Sequence, residues 1–158
     1  MIRNPIDLDR FKPTKPVNHE LTNILVMSNN PINRKLVEQA TKGYNVRFVG
    51  GDNRVDNPEE HINWADTVIT LGRGCYEAMA CNRNVIVYDY NGGDGNLHNE
   101  NYFYFRRNNC SGRYNGYKWT AEELRGQIEA GFEYIVEYRD TIEQHHDPVK
   151  IAEAYLCL

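Results

Sequence analysis

Between residues 23 and 88 the chain gathers its apolar residues into short runs separated by polar loops and helix-spaced segments. Asn23–Met27, Asn45–Val49, Thr67–Leu71 and Val85–Tyr88 are rich in β-branched residues, the pattern of strands buried on both faces. The intervening segments change period. Asn33–Lys42 carries Leu36, Val37 and Ala40 on one helical face and is closed by Gly43, a common helix stop. Pro58–Trp64 begins a short helix with proline at its first position, where the missing N–H costs nothing. Gly74–Cys81, with three alanine and methionine residues in its middle, suits a third. This alternation predicts an α/β, Rossmann-like three-layer domain with a parallel sheet and right-handed crossovers.

After Tyr88 the pattern weakens. Asp89–Gly95 reads as a loop too glycine-rich for a regular element. Tyr102–Phe105 is either a fifth strand or an aromatic anchor, and Asn108–Lys118 is irregular. Thr120-Ala121-Glu122-Glu123 is a capping box. It opens a helix whose apolar stripe is Leu124, Ile128, Phe132 and Ile135, with Gly131 placed to bend or split it. Asp147-Pro148 opens a last helix with Val149, Ala152 and Leu156 facing inward. The predicted organisation is one domain over 1–158: an extended leading segment (1–22) with Pro5, Pro13 and Pro16, an α/β core (23–119) and C-terminal helices (120–158). That length suits a single core.

Charge narrows the function classes. A net charge of −4 argues against a general affinity for nucleic acid or anionic membranes and leaves room only for a local basic pocket. No apolar run approaches the ~20 residues of a bilayer span, and Met1-Ile2-Arg3-Asn4-Pro5 lacks a signal-peptide apolar region. The expectation is a cytoplasmic protein. Cys75, Cys81, Cys110 and Cys157 form no Cys-x-x-Cys pair and read as reduced, structural thiols. His145-His146-Asp147 reads as a solvated helix end, because adjacent helical residues point to different sides. No metal and no cofactor is expected.

The chemistry concentrates at Gly72-Arg73-Gly74. A glycine turn at the carboxyl end of a buried strand, opening a helix, aims free N–H groups at one point and favours an anion there, usually a phosphate. Glu77 comes three residues after Gly74. Two readings fit its spacing equally: a carboxylate accepting hydrogen bonds from the vicinal diol of a ribose, or an acid that favours a helix N-terminus by dipole and capping.

Ala65-Asp66-Thr67-Val68-Ile69-Thr70, taken with Glu77-Ala78-Met79-Ala80-Cys81-Asn82-Arg83-Asn84-Val85-Ile86-Val87-Tyr88, resembles the donor-binding core of GT-B fold glycosyltransferases of the group 1, family 4-like kind. Ile2-Arg3-Asn4-Pro5-Ile6-Asp7-Leu8-Asp9-Arg10-Phe11-Lys12-Pro13 is similar to the segment that leads from the acceptor half of such enzymes into the donor half. Val46-Arg47-Phe48-Val49-Gly50 resembles the strand whose following loop frames the base.

The resemblance implies the C-terminal half of a GT-B architecture, binding a nucleoside-diphosphate sugar built on uridine or guanosine. It further implies that Glu77 holds the ribose hydroxyls and that Gly72, Arg73 and Gly74 meet the diphosphate, with Arg73 and Glu77 as the residues of catalysis. Gly51, Arg54 and Val55 would line the base, while Gly92, Gly93 and Asp94 would lie near the sugar or phosphates. Arg34 and Lys35 are the nearest candidates for the family's basic pair, with Lys42 a third. The implied partner is an acceptor domain or a second chain.

Departures are visible. Asn82 and Asn84 replace the usual Gly and Pro, Pro5 replaces a Gly, and Ile69 stands where many retaining members carry a second Glu. Two other readings stay open. One is a fragment similar to nucleotide-sugar 2-epimerases. The other is a non-catalytic nucleotide-binding or partner module that uses Tyr102–Phe105 and Tyr114–Trp119 as contact surface.

Overall fold

The computed structural model describes residues 4–30 and 32–157. Ile2 and Arg3 of the leading motif, Pro31 of the loop after the first strand, and Leu158 lie outside the described residues. The elements in chain order are β1 (Asn23–Met27), α1 (Arg34–Ala40), β2 (Asn45–Val49), α2 (Pro58–Trp64), β3 (Thr67–Thr70), α3 (Arg73–Ala80), β4 (Asn84–Asp89), β5 (Gly92–Leu97), α4 (Tyr102–Arg107), α5 (Ala121–Ala130), α6 (Arg139–His146) and α7 (Pro148–Leu156).

The five strands form one sheet in the order β2-β1-β3-β4-β5. Parallel pairing sets Ile24 beside Val46 and Thr67, and Ile69 beside Ile86. Alternation along the central strands then divides the core in two. Leu25, Val68, Val85 and Val87 face one side, against Ile62, Cys75, Met79 and Ile142. Ile24, Val26, Ile69 and Ile86 face the other, against Val37, Ala40, Leu124 and Ile128. Helices on both faces make this an α/β, Rossmann-like arrangement. The leading segment joins the first core through Ile6, Phe11 and Val17. It is fastened by the buried carboxylate of Asp66, which accepts hydrogen bonds from the backbone N–H groups of Asn18, Thr22 and Asn23 at 2.8–3.0 Å.

Several expectations need correction, beginning with the solvated helix end at His145-His146-Asp147: His146 is 1% exposed, stacked on Tyr76 and hydrogen-bonded to the Tyr102 hydroxyl and the Asn4 carbonyl. The glycine-rich stretch after Tyr88 is not a loop: Gly92–Leu97 is a strand, and it runs antiparallel to β4, so the sheet is only mostly parallel. Packing overrides the low strand propensity of glycine here. A Cβ on Gly93 would stand 2.5 Å from the Trp119 ring and 2.7 Å from the carbonyl oxygen of Val87, and Trp119 stacks on Tyr88 with ring centroids 5.7 Å apart. The glycines make the floor on which the indole lies. Tyr102–Phe105 is no strand but the start of α4, and it anchors by burying Tyr102 and Phe105.

The capping-box helix forms as expected, with Thr120 and Glu123 each accepting from the other's backbone N–H, and it ends at Gly131, the residue placed to split it. Phe132 and Ile135 therefore leave the stripe, and Ile135 is 63% exposed. The stretch beyond builds a separate helix, α6, whose Ile142 reaches the core. Finally, α7 buries none of its described residues. Val149 and Leu156, expected to face inward, are exposed. Its apolar spacing is real, but α6, which it touches, leaves Val149 and Leu156 uncovered.

Candidate functional site

The chain runs from β1 outward to β2, then returns to β3 and proceeds to β4, so the loops after β1 and β3 diverge. In open α/β sheets ligands bind in the crevice at such a switch point, beyond the carboxyl ends of the strands. A crevice of about 360 Å³ lies there. Its walls are the end of β1 with the loop Ser28–Asn30, the end of β3 with the first turns of α3, and Asp89 at the end of β4.

Gly72 is the N-cap of α3, with φ +59° and ψ −129° and no side-chain cap. Only glycine adopts this backbone without strain. Its own N–H is held by the carbonyl of Cys110 at 2.9 Å. Gly74 brings the helix down onto the sheet: a Cβ there would overlap the Thr70 hydroxyl and stand 2.9 Å from the Met27 methyl. The start of α3 thus faces the crevice with its orphan N–H groups and the positive end of its dipole.

Arg73 and Glu77 both line the crevice and pair at 2.8 Å, with side chains 57% and 13% exposed respectively. Burial raises the Glu77 carboxyl above its ordinary range, and the Arg73 guanidinium pulls it partly back. Asp89 is 2% exposed. It accepts hydrogen bonds from the Ser28 hydroxyl at 2.5 Å and from the N–H of Tyr90 at 2.6 Å, so it fastens the β1 loop across the floor of the site. Sequence reasoning misses Asp89 by reading it as the start of a loop. The available signal is its place at the carboxyl end of a central strand.

A second crevice, of about 480 Å³, lies on the far side of the same loop and shares Ser28, Asn29 and Asn30 with the first. Phe48, Gly50 and Gly51 form its opposite wall. Gly50 has φ +110°, and a Cβ there would overlap the carbonyl of Ser28. Arg34 lines this crevice, stacked over Phe48 at 4.3 Å while pairing with Glu38.

The expected site residues therefore separate into groups. Gly74, Arg73 and Glu77 converge on the first crevice, with Gly72 capping the helix behind them, and Gly51 and Arg34 line the second. Arg54 and Lys35 are exposed and line neither, and neither does Val55, which packs against the core. Lys42 is exposed too. Gly92, Gly93 and Asp94 lie buried in β5 and line neither crevice. Asp94 accepts from the backbone N–H groups of Asn115 and Gly116 at 2.7 and 3.3 Å, which pins the segment after α4 to the sheet.

Arg73 is the one side-chain cation among the described residues of the first crevice, against two carboxylates. Side-chain charge alone gives an anion no advantage; the helix N-terminus must supply it. The carboxylates suit hydroxyl donors. The arrangement fits a ligand that offers a phosphate at one end and a diol beside it. Among the described residues, no group of three or more His, Cys, Asp or Glu is placed to hold a metal ion, and no helix is long and apolar enough to cross a membrane. Compared with family models, curated proteins and solved structures, the chain matches none.

Proposed function

We propose that the first crevice binds a nucleoside-diphosphate sugar and that the chain is the donor-binding domain of a glycosyltransferase. The observation that carries this reading is that Glu77, nearly buried, opens on the same crevice as the bare N-terminus of α3. A diphosphate takes the N–H groups of the helix start. The ribose diol takes the Glu77 carboxylate, and the base, uracil or guanine, lies past Asn29 and Asn30 against Phe48 and Gly51. The motifs around Asp66–Tyr88 that resemble GT-B donor sites agree with these roles.

In transfer, the bond between the anomeric carbon and the diphosphate oxygen breaks as the acceptor oxygen attacks. The departing diphosphate gathers negative charge beside the start of α3, where its N–H groups and Arg73, swung from Glu77, meet it, so stabilisation grows toward the transition state. Glu77 fixes the nucleoside and thereby the position of the breaking bond. Arg73 is more than half exposed, so the site needs a second body, an acceptor domain or partner chain, to exclude water and hold the acceptor. A binding module without turnover is the second reading, favoured by the exposure of Arg73, which leaves the crevice open to water.

Calorimetric titration with uridine, guanosine, adenosine and cytidine diphosphates tests the binding. Saturable heat with the uridine or guanosine compound is expected, and none with any of the four would overturn it. Sugar-nucleotide turnover, assayed with and without an added acceptor domain, then separates transferase from module.

A further inference from the structure

Charge is unevenly spread along this chain. From Asn101 to Ala121 there are four cations, Arg106, Arg107, Arg113 and Lys118, and no carboxylate, in a protein of net charge −4. The structure sets two of them, Arg106 and Arg107, over aromatic rings of α4, and leaves Arg113 exposed beside Tyr114. Arg106 lies over the rings of Tyr102 and Phe103 at 5.4 and 5.1 Å, and Arg107 over Tyr104 at 5.9 Å. Tyr104 leans on Tyr114 at 6.1 Å, next to Arg113. Phe103, Tyr104 and Tyr114 are each about half exposed.

Five arginines elsewhere, Arg10, Arg34, Arg73, Arg125 and Arg139, are each paired to a glutamate, while Arg47 lies over Trp64 and Arg83 is bonded to the Lys15 carbonyl and Asn63. Arg106, Arg107 and Arg113 have no carboxylate partner among the described residues, and one guanidinium nitrogen of Arg106 is buried without a hydrogen bond there. The face therefore combines half-bare rings with guanidinium groups lying over them. This is the pairing that single strands use: flat faces for bases, and cations spaced along them for phosphates.

We propose that the α4 face, from Phe103 to Tyr114, binds single-stranded nucleic acid. Bases stack on Phe103, Tyr104 and Tyr114, and Arg106, Arg107 and Arg113 take the phosphates. The acidic remainder of the chain repels polyanions, so binding is confined to this face and weak outside low salt. The proposal does not rest on the sugar-nucleotide reading. Its ligand lies outside both crevices, because none of these six residues lines either.

The test is fluorescence anisotropy with a labelled oligothymidylate of about 15 nucleotides, a length that matches single-strand binding sites. Saturable binding is expected at low salt. With three phosphate contacts the plot of log affinity against log salt should slope by about −2. Arg107→Glu with Arg113→Glu should weaken binding more than about tenfold, since it reverses two charges. Tyr104→Ala should weaken it by about fivefold or more through lost stacking. All three side chains are exposed, and unchanged far-UV circular dichroism confirms folding.

No binding at low salt would overturn the proposal. So would displacement of the oligonucleotide by excess uridine diphosphate, which would place it in the crevice. Equal affinity for heparin with no effect of Tyr104→Ala would reassign the face to polyanions at large, and binding to phosphatidylserine vesicles in place of the oligonucleotide would reassign it to a membrane.

Discussion

Two glycine clusters stand in the same α/β domain, beside the same sheet, and do opposite things. Gly72 and Gly74 open α3. One takes a positive φ and the other lets the helix touch Thr70 and Met27, and between them they leave N–H groups facing a crevice. Gly92, Gly93 and Gly95 close β5 against Trp119, Gln127 and the backbone of Gly116 and Tyr117, and leave no space at all. Glycine at the carboxyl edge of a sheet is thus not by itself a ligand signal. The two clusters differ in the group each one serves: a helix start with an acid in its next turn, or an indole that needs a flat floor.

The sharpest way to break this contrast is Gly93→Ala. The added methyl meets both a ring and a carbonyl that cannot yield, and overpacking of this kind costs about 2–3 kcal/mol. Urea unfolding should show the full loss, with nucleotide affinity of the folded protein unchanged. Gly72→Ala should do the reverse. No atom stands closer than 3.8 Å to the new methyl, so only the backbone strain of about 1–2 kcal/mol is incurred. Nucleotide binding should nevertheless fall, because relief of the positive φ turns the helix N–H groups away.

A pH series gives a smaller effect. The folded protein holds the Glu77 proton more tightly than the unfolded chain does, since burial raises its pKa. Its contribution to stability is therefore present below the ordinary glutamate pKa and lost as pH rises through the raised value. Binding of the proposed sugar nucleotide should run the other way, because its diol would need the carboxylate. Affinity should fall as pH drops through a window above the ordinary glutamate range, and Glu77→Gln should flatten that fall. Least of all should change under thiol reagents. Cys157 is exposed, whereas Cys75, Cys81 and Cys110 are buried, with Cys81 pushed up to about 12 by burial. One fast-reacting thiol is the expected count, and a second would mean that α3 or the turn after α4 opens.

The parallel half of the fold is legible in the sequence because its strands are buried on both faces and leave unbroken apolar runs. Asn23–Met27 and Asn45–Val49 match the observed strands end for end. The Gly72–Glu77 cluster is legible for a related reason, its position being fixed by those strands. After Tyr88 the determinants become non-local. Nothing within Gly92–Leu97 foretells Trp119, and nothing in Val149–Leu156 tells that its apolar face will stay uncovered. Asp89 escapes local reasoning because its partner, Ser28, lies 61 positions away. The glycines around Asp94 suggest a ligand loop, although its carboxylate answers the N–H groups of Asn115 and Gly116.

The central claim is that the α3 turn, and not β5, holds the ligand. Calorimetric dissociation constants for uridine or guanosine diphosphate, measured on the native protein, Glu77→Ala and Asp94→Asn, test it most directly. Loss of hydrogen bonds to a charged acceptor is worth about 1.5–3 kcal/mol, so Glu77→Ala should weaken binding about tenfold or more, while Asp94→Asn should leave it within about twofold. An unchanged affinity in folded Glu77→Ala, or a collapse in folded Asp94→Asn, would contradict the account.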